Sequence, residues 1–368
     1  MNRLPQKSSL VAQTAAILKD RIESGEWHQW LPGEHELCAQ FHVARMTVRR
    51  ALDQLQRAGL VRAAQGKRRE ILGRPRRSAP AIRGRVLLLI PAPLHFLPPL
   101  HIFCANELRE TLENVGVHLE IHAEPSLYGR GSVAGLERLM KQLRPAGCVL
   151  LSSTERMQLW FSKRQLPCVI WGSRHPGVEL PSVDKAYRAV CRHAVGLLLA
   201  RGHRHMVLLN PESGAAGDLE SEEGFREGAA QHKQEDLDIG ISRHDGTISN
   251  ICGVIAGLFQ RRSRPTALLV SRALNVPAVM GCLMRRGLRL PEDVAIISRD
   301  HEPFLEHMVP SVARYVISPG SMAQRIFASV VEMVQTGLVS PADFKIMPEF
   351  IEGETLGQKL APPAESKG

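Results

Sequence analysis

No two of the seven cysteines (Cys38, Cys104, Cys148, Cys168, Cys191, Cys252 and Cys282) stand as CxxC, and none has metal-site spacing. Scattered thiols of this kind are expected to be reduced and buried, as in a cytosolic protein. No stretch is apolar for the roughly 18 residues that a membrane span requires. The opening MNRLPQKSSLVAQTAAILKDRIESGEW interrupts its apolar residues with charge every few positions, so it has no signal-peptide core. A cytoplasmic protein with no membrane partner is expected. Catalytic signatures are missing as well. GRGS at 129–132 has no Walker lysine, NPESGAAG is not a GxSxG elbow, and no Ser-His-Asp or Cys-His set is discernible. His203 and His205 of GHRH enter a strand and are expected to cap and pack rather than bind metal. These gaps exclude the common enzyme classes and call for no cofactor and no metal.

What is present is unevenly charged. Residues 1–80 hold 15 Lys and Arg against 7 Asp and Glu, which accounts for most of the formal +10 of all 368 residues. A basic first fifth on a nearly neutral bulk predicts a polyanion-binding head joined to a body with another task. With 44% hydrophobic residues the chain can bury ample core, in two or three domains.

Within the head, Val11, Ala15, Leu18 and Ile22 recur at helical spacing and predict a first helix stopped by Gly25. LPGEHELCAQF predicts a shorter second helix with Pro32 near its first turn and Leu37 and Phe41 facing inward. A third helix follows His42 and Val43, with Val48, Leu52 and Leu55 on its buried face and Gly59 at its end. Arg45, Thr47, Arg49 and Arg50 lie at or beside its opposite face. LVRA and REIL flank AQGK, which reads as a small hairpin with Gly66 at its tip. Three helices and a ribbon make a winged helix-turn-helix. Its third helix enters the major groove, where arginine donates two hydrogen bonds to guanine O6 and N7, while a basic wing lies against phosphate or the minor groove.

LPGEHELCAQFHVARMTVRRALDQLQRAGLVRAAQGKRREI closely resembles the GntR family DNA-binding domain, whose pattern runs LPSE, LA, VSR-TVR-AL-L, GL and a glycine-bearing wing; the resemblance covers roughly residues 8 to 72. It implies a DNA contact for His35 early in helix two and base and phosphate contacts for Arg45, Thr47 and Arg49 in helix three, with Arg50 beside them. It places Gln65, Gly66 and Lys67 at the wing tip. Gly33 and Ala44 stand where the family has serine, and Arg68 replaces the second wing glycine. Alanine cannot cap helix three, a loss of typically ~1 kcal/mol.

GRPRRSAPAIRGR, residues 73 to 85, has no apolar periodicity and is expected to be an extended linker. Beyond it, short apolar runs (RVLLLIP, VHLEIHA, GCVLLSS, CVIWG, MVLLNP, ALLVS, VAIIS) alternate with amphipathic stretches at 108–115, 136–143, 190–199 and 279–286. Repeated β-α units predict parallel sheets covered by helices in two lobes, with a ligand beyond the carboxyl ends of the strands. VDKAYRAVCRHAVGLLLARGHRHMVLL and GLRLPEDVAIISRDHEPF resemble the LacI/GalR effector domain, the second matching its G-PEDVA-GFDD-P segment, over about residues 84 to 356. That resemblance implies a bilobed periplasmic-binding-protein-like body that holds a small ligand, usually a sugar, in its cleft and dimerises side by side. The stretch after Pro99 is expected to turn Phe103 and Leu108 toward a partner lobe. In the cleft the family pattern breaks: Ser221 replaces the usual arginine three residues before the glycine of R-x-x-G-F, and Arg272 and Ala273 replace an Asn-Asp pair. Asp300 is kept. Three readings of effector site Ser221, Arg272 and Asp300 stay open: Arg272 grips an anionic ligand such as a sugar acid, the cleft has lost its ligand, or Arg272 pairs with Asp300.

The expected architecture is α/β: a winged helix-turn-helix at 1–72, a linker at 73–84, a body of two parallel sheets at 85–357, and a disordered tail at 358–368. The expected function is a ligand-responsive, homodimeric, sequence-specific DNA-binding regulator that represses carbohydrate-use genes on operator DNA. The alternative is a dimeric regulator without an effector, governed by a protein partner or by abundance.

Overall fold

The computed structural model describes residues 10–23, 27, 30–41, 43–57, 60–62, 68–72, 84–129, 132–232, 236–337 and 341–357. It divides into two compact units, Met1–Ala81 and Ile82–Gly368. Among the described residues no helix is long and apolar enough to cross a membrane.

In the first unit, α1 (Leu10–Glu23), α2 (Glu34–Phe41) and α3 (Arg45–Arg57) surround a small core of Ala15, Leu18, Leu31, Leu37, Val48, Leu52 and Leu55. The apolar residues of each helix recur every three or four positions, so each helix can turn one stripe inward and leave its charges in water. β1 (Val61–Arg62) and β2 (Glu70–Ile71) pair antiparallel, Val61 opposite Ile71, and form the ribbon. The predicted wing tip, Gln65, Gly66 and Lys67, lies outside the described residues, as do residues 73–83 of the linker and the tail after 357.

The second unit has two lobes, each a six-stranded sheet between helices. In lobe 1 the order is β13-β7-β6-β5-β3-β4, all parallel. Its strands are β3 (Gly84–Ile90), β4 (Val117–Ala123), β5 (Gly147–Leu151), β6 (Cys168–Trp171), β7 (Ser182–Lys185) and β13 (Asp343–Ile346). Its helices are α4 (Pro99–Glu113), α5 (Ser132–Leu143), α6 (Glu155–Lys163) and α11 (Pro319–Thr336). Lobe 2 has the order β14-β12-β11-β10-β8-β9, with only β14 antiparallel. It is built from β8 (His205–Pro211), β9 (Asp238–His244), β10 (Ala267–Val270), β11 (Ala295–Ser298), β12 (Ala313–Val316) and β14 (Glu349–Ile351). α7 (Tyr187–Ala200), α8 (Ala216–Ala230), α9 (Ile248–Gln260) and α10 (Val276–Met284) cover it. Central strands such as β3, β5 and β10 are apolar on both faces because helices pack on both. The chain passes between lobes after Lys185, after Val316 and after Ile346.

Two expectations need correction. Cys252 on α9 and Cys282 on α10 are joined as a disulfide, Cα–Cα 5.9 Å, whereas Cys38, Cys104, Cys148, Cys168 and Cys191 are free. Both helices lie on the same face of the lobe 2 sheet, so cysteines 30 residues apart meet. On α4, Phe103 is exposed as expected, but Leu108 is fully buried in the lobe 1 core. The two residues sit five apart, about 140° around a helix, so they cannot share one face.

Candidate functional site

The first unit presents its basic face on α3. His35, Arg45, Arg49 and Arg50 are exposed and Thr47 is half-buried. Arg45 Nε donates to Glu34 Oε2 at 3.1 Å, and Arg49 Nε lies 3.5 Å from Glu34 Oε1. Arg69, beside β2, reaches the same carboxylate at 3.7 Å. Burial would raise the Glu34 carboxyl, but the hydrogen bond from Arg45 and the charges of Arg49 and Arg69 hold it below its ordinary value. Glu34 therefore fixes where two α3 arginines start while leaving more than half of each side chain in water.

In the second unit, the carboxyl ends of the strands meet in a cleft. A cavity of about 170 Å³ there is lined by His101 and Trp171 of lobe 1, by Asp184, Tyr187 and Gly217, and by Asp218 and Arg272 of lobe 2. By volume it holds about six waters. The sequence-predicted residues do converge here, but on a residue that sequence reading passed over. Arg299, the residue after β11, is completely buried. Its Nη1 donates to Ser221 Oγ at 2.6 Å and to Asp218 Oδ1 at 3.1 Å, and its Nη2 donates to Asp300 Oδ2 at 3.1 Å. The guanidinium carbon lies 4.2 Å from the Tyr187 ring centroid. A Cβ on Gly217 would come within 2.8 Å of that ring, so the first turn of α8 closes over Tyr187 only as glycine.

Ser221 therefore accepts a hydrogen bond from an arginine where the resemblance would have placed one. Arg272 makes its close contact with Asp218, Nη2 to Oδ2 at 2.7 Å, and stands 3.9 Å from Asp300. Asp300 is bonded by Lys185 Nζ from the end of β7. Burial would raise the Asp300 carboxyl, but Lys185, Arg299 and Arg272 hold it well below the usual carboxylate range. Burial would likewise depress Lys185, and Asp300 keeps it charged and above the ordinary lysine value. One signal for Arg299 was available in the sequence: in the G-PEDVA-GFDD-P pattern it stands at the phenylalanine, a cation at an apolar position.

His101, on α4, stacks edge-on to Trp171 at 5.5 Å, and its buried Nδ1 has no hydrogen-bond partner among the described residues. Burial, with Lys185 and Arg272 adding to it, pushes its pKa down to about 4. A histidine of folded pKa about 4 and unfolded pKa about 6.5 takes up its proton first in the unfolded chain. Its contribution is therefore complete above pH 6.5 and is lost as pH falls toward 4. Between pH 7.5 and 5 this amounts to roughly 2 kcal/mol. His101→Phe is expected to flatten the fall in urea stability between those pH values; an unchanged slope would show that the ring is not held neutral. The GHRH histidines are structural: His203 meets Thr266 Oγ1 at 3.1 Å and His205 meets Asp238 at 3.3 Å. Among the described residues no group of three His, Cys, Asp or Glu is placed to hold a metal.

Residues 10–71 match the model for bacterial regulatory proteins of the gntR family, and residues 195–356 match a periplasmic binding protein-like domain. The chain is 41% identical over 69 residues to the HTH-type transcriptional regulator TreR of Bacillus subtilis, covering 17% of this chain and 29% of TreR. It is 26% identical over 156 residues to the HTH-type transcriptional regulator AscG of Escherichia coli, 40% of this chain and 44% of AscG. Each match spans less than half of the relative's length. A LacI-family regulatory protein from Chloroflexus aggregans superposes with TM-score 0.63 at 19% identity, over 75% of this chain and 99% of that structure. The protein thus joins a winged helix-turn-helix to a bilobed body with two mostly parallel sheets. Its head is similar to the gntR-family regulatory region over residues 10–71, and its body has the fold of solved LacI-family regulators.

Proposed function

We propose that this protein is a cytoplasmic, homodimeric, sequence-specific DNA-binding repressor whose body answers a small molecule in its cleft, with residues 73–84 as the linker. The observation that carries the reading is the exposed start of α3, where Arg45 and Arg49 project from the second helix of a helix-turn-helix, oriented by Glu34. TreR and AscG are named as HTH-type transcriptional regulators, which supports it. His35, Thr47 and Arg50 would add contacts along the same face, and Gln65, Gly66 and Lys67 would hold phosphate from the wing. Two heads tied in a dimer read a pseudo-palindrome, since one head covers only a few base pairs.

The effector is small and polar. Four cations at the cleft (Lys185, Arg272, Arg299 and Lys345) face five carboxylates (Asp184, Asp218, Asp300, Glu220 and Asp343). This charge pairing favours an uncharged polyhydroxylated molecule over a sugar acid, because Arg272 is already matched by Asp218. The same self-pairing favours a second reading, a DNA-binding regulator whose cleft takes no ligand. Binding-site selection from random duplexes with the purified full chain tests the DNA assignment. Two similar half-sites in inverted repeat are expected; recovery of unrelated sequences would sink it.

A further inference from the structure

The hinge between the two lobes carries its own charges. Of the three crossing segments, two leave lobe 1 from neighbouring parallel strands, β7 and β13, where Asp184 lies opposite Lys345 and Lys185 opposite Ile346. The crossing itself continues this pairing, with Ala186 N donating to Ile346 O at 2.8 Å. β7 ends in Lys185 and β13 carries Lys345 next to its last residue, and both lysines reach into lobe 2. Lys185 Nζ bonds Asp300, and both side chains are nearly nine-tenths buried. Lys345 Nζ donates to Glu220 Oε1 of α8 at 2.6 Å and to Ser173 Oγ of lobe 1 at 2.9 Å. Ser173 in turn donates to Asp184 at 2.8 Å, which ties the lysine back to its own strand pair. The third crossing, Val316 to Pro319, contains no charged side chain.

We propose that Lys185 and Lys345 lock the hinge of the ligand-free body, so that the cleft is closed by ion pairs between the lobes rather than by a bound molecule. A hinge works by changing a few backbone dihedrals at the crossings. Here, opening would pull two ammonium groups off carboxylates from which water is largely excluded, and such pairs are little screened by salt. Arg299 supports the lock from within lobe 2 by holding Asp300 against rotation at 3.1 Å. The regulatory meaning rests on the effector reading proposed above: a molecule that binds this cleft meets a body already closed, and it changes operator affinity only by loosening the lock.

Hydrogen exchange measured by mass spectrometry on the full chain, with no ligand and no DNA, tests the lock directly. Amides at 182–187 and 343–349 are expected to be protected in the wild type. Exchange there should rise on the order of tenfold in Lys185→Met/Lys345→Met, with β3 and β10 unchanged. The double arginine variant, Lys185→Arg/Lys345→Arg, keeps both charges and should stay protected. A methionine variant that exchanges like wild type at the hinge overturns the proposal. Protection lost evenly across hinge, β3 and β10 overturns it too, because the lysines would then be ordinary supports of the whole fold. The measurement involves no DNA, so a failed operator selection would leave it readable.

Discussion

Arg299→Met is expected to cost the body about 3 to 5 kcal/mol, read as a lower urea midpoint. The side chain has no exposed surface and is bonded by Asp218, Ser221 and Asp300. Methionine fills a similar volume against Tyr187, so packing is largely kept and charge is what is lost. Two carboxylates then share only Arg272 and Lys185, and each has lost a donor in a place that water reaches poorly. Adding Asp218→Asn should recover part of the loss, because one of the two stranded charges goes with it. A midpoint equal to wild type for the single variant would mean that Asp218 and Asp300 are satisfied without the guanidinium.

On the preferred operator, Arg45→Ala is expected to weaken binding by about 1 to 3 kcal/mol, roughly five- to 150-fold, and to relax preference at one base position. Binding to random duplex should change far less, since it rests on phosphate contacts summed over many cations. Arg45 leaves 56% of its side chain in water while its Nε holds Glu34, so in the free protein it is oriented but not used up. Fluorescence anisotropy on operator and scrambled duplexes would separate the two effects. Equal losses on both would make Arg45 a phosphate contact, and no loss on the operator would turn α3 away from the groove.

The head was legible almost residue by residue, because a small helical domain writes its core as local periodicity: Leu18, Leu37, Val48, Leu52 and Leu55 were predicted inward and are buried. In the body, the apolar runs at β3, β4, β5, β6, β8, β10 and β11 were also visible. The strands that went unread, β7, β9, β12, β13 and β14, are short or carry polar residues, as in DIGISRH of β9 and DFKI of β13. Their identity as strands is fixed by the neighbour they pair with, which no local window contains.

By itself the sequence determined the order of the two units, the concentration of positive charge in the first fifth, and the arginine face of α3, since each depends on composition or on spacing within one helix. It also placed Ser221, Arg272 and Asp300 near one cleft. Only the tertiary structure decided what they do there. Lys185, the α8 pair Asp218 and Ser221, Arg272 and Arg299 come from four separate stretches of chain, and whether Arg272 binds Asp218 or Asp300 is a matter of 2.7 Å against 3.9 Å. Beside Arg299 its own segment offers only Asp300; the parallel sheets bring Asp218 and Ser221 of α8 within reach, and so fill with internal ion pairs a cleft that the sequence left open between a ligand and an acid partner.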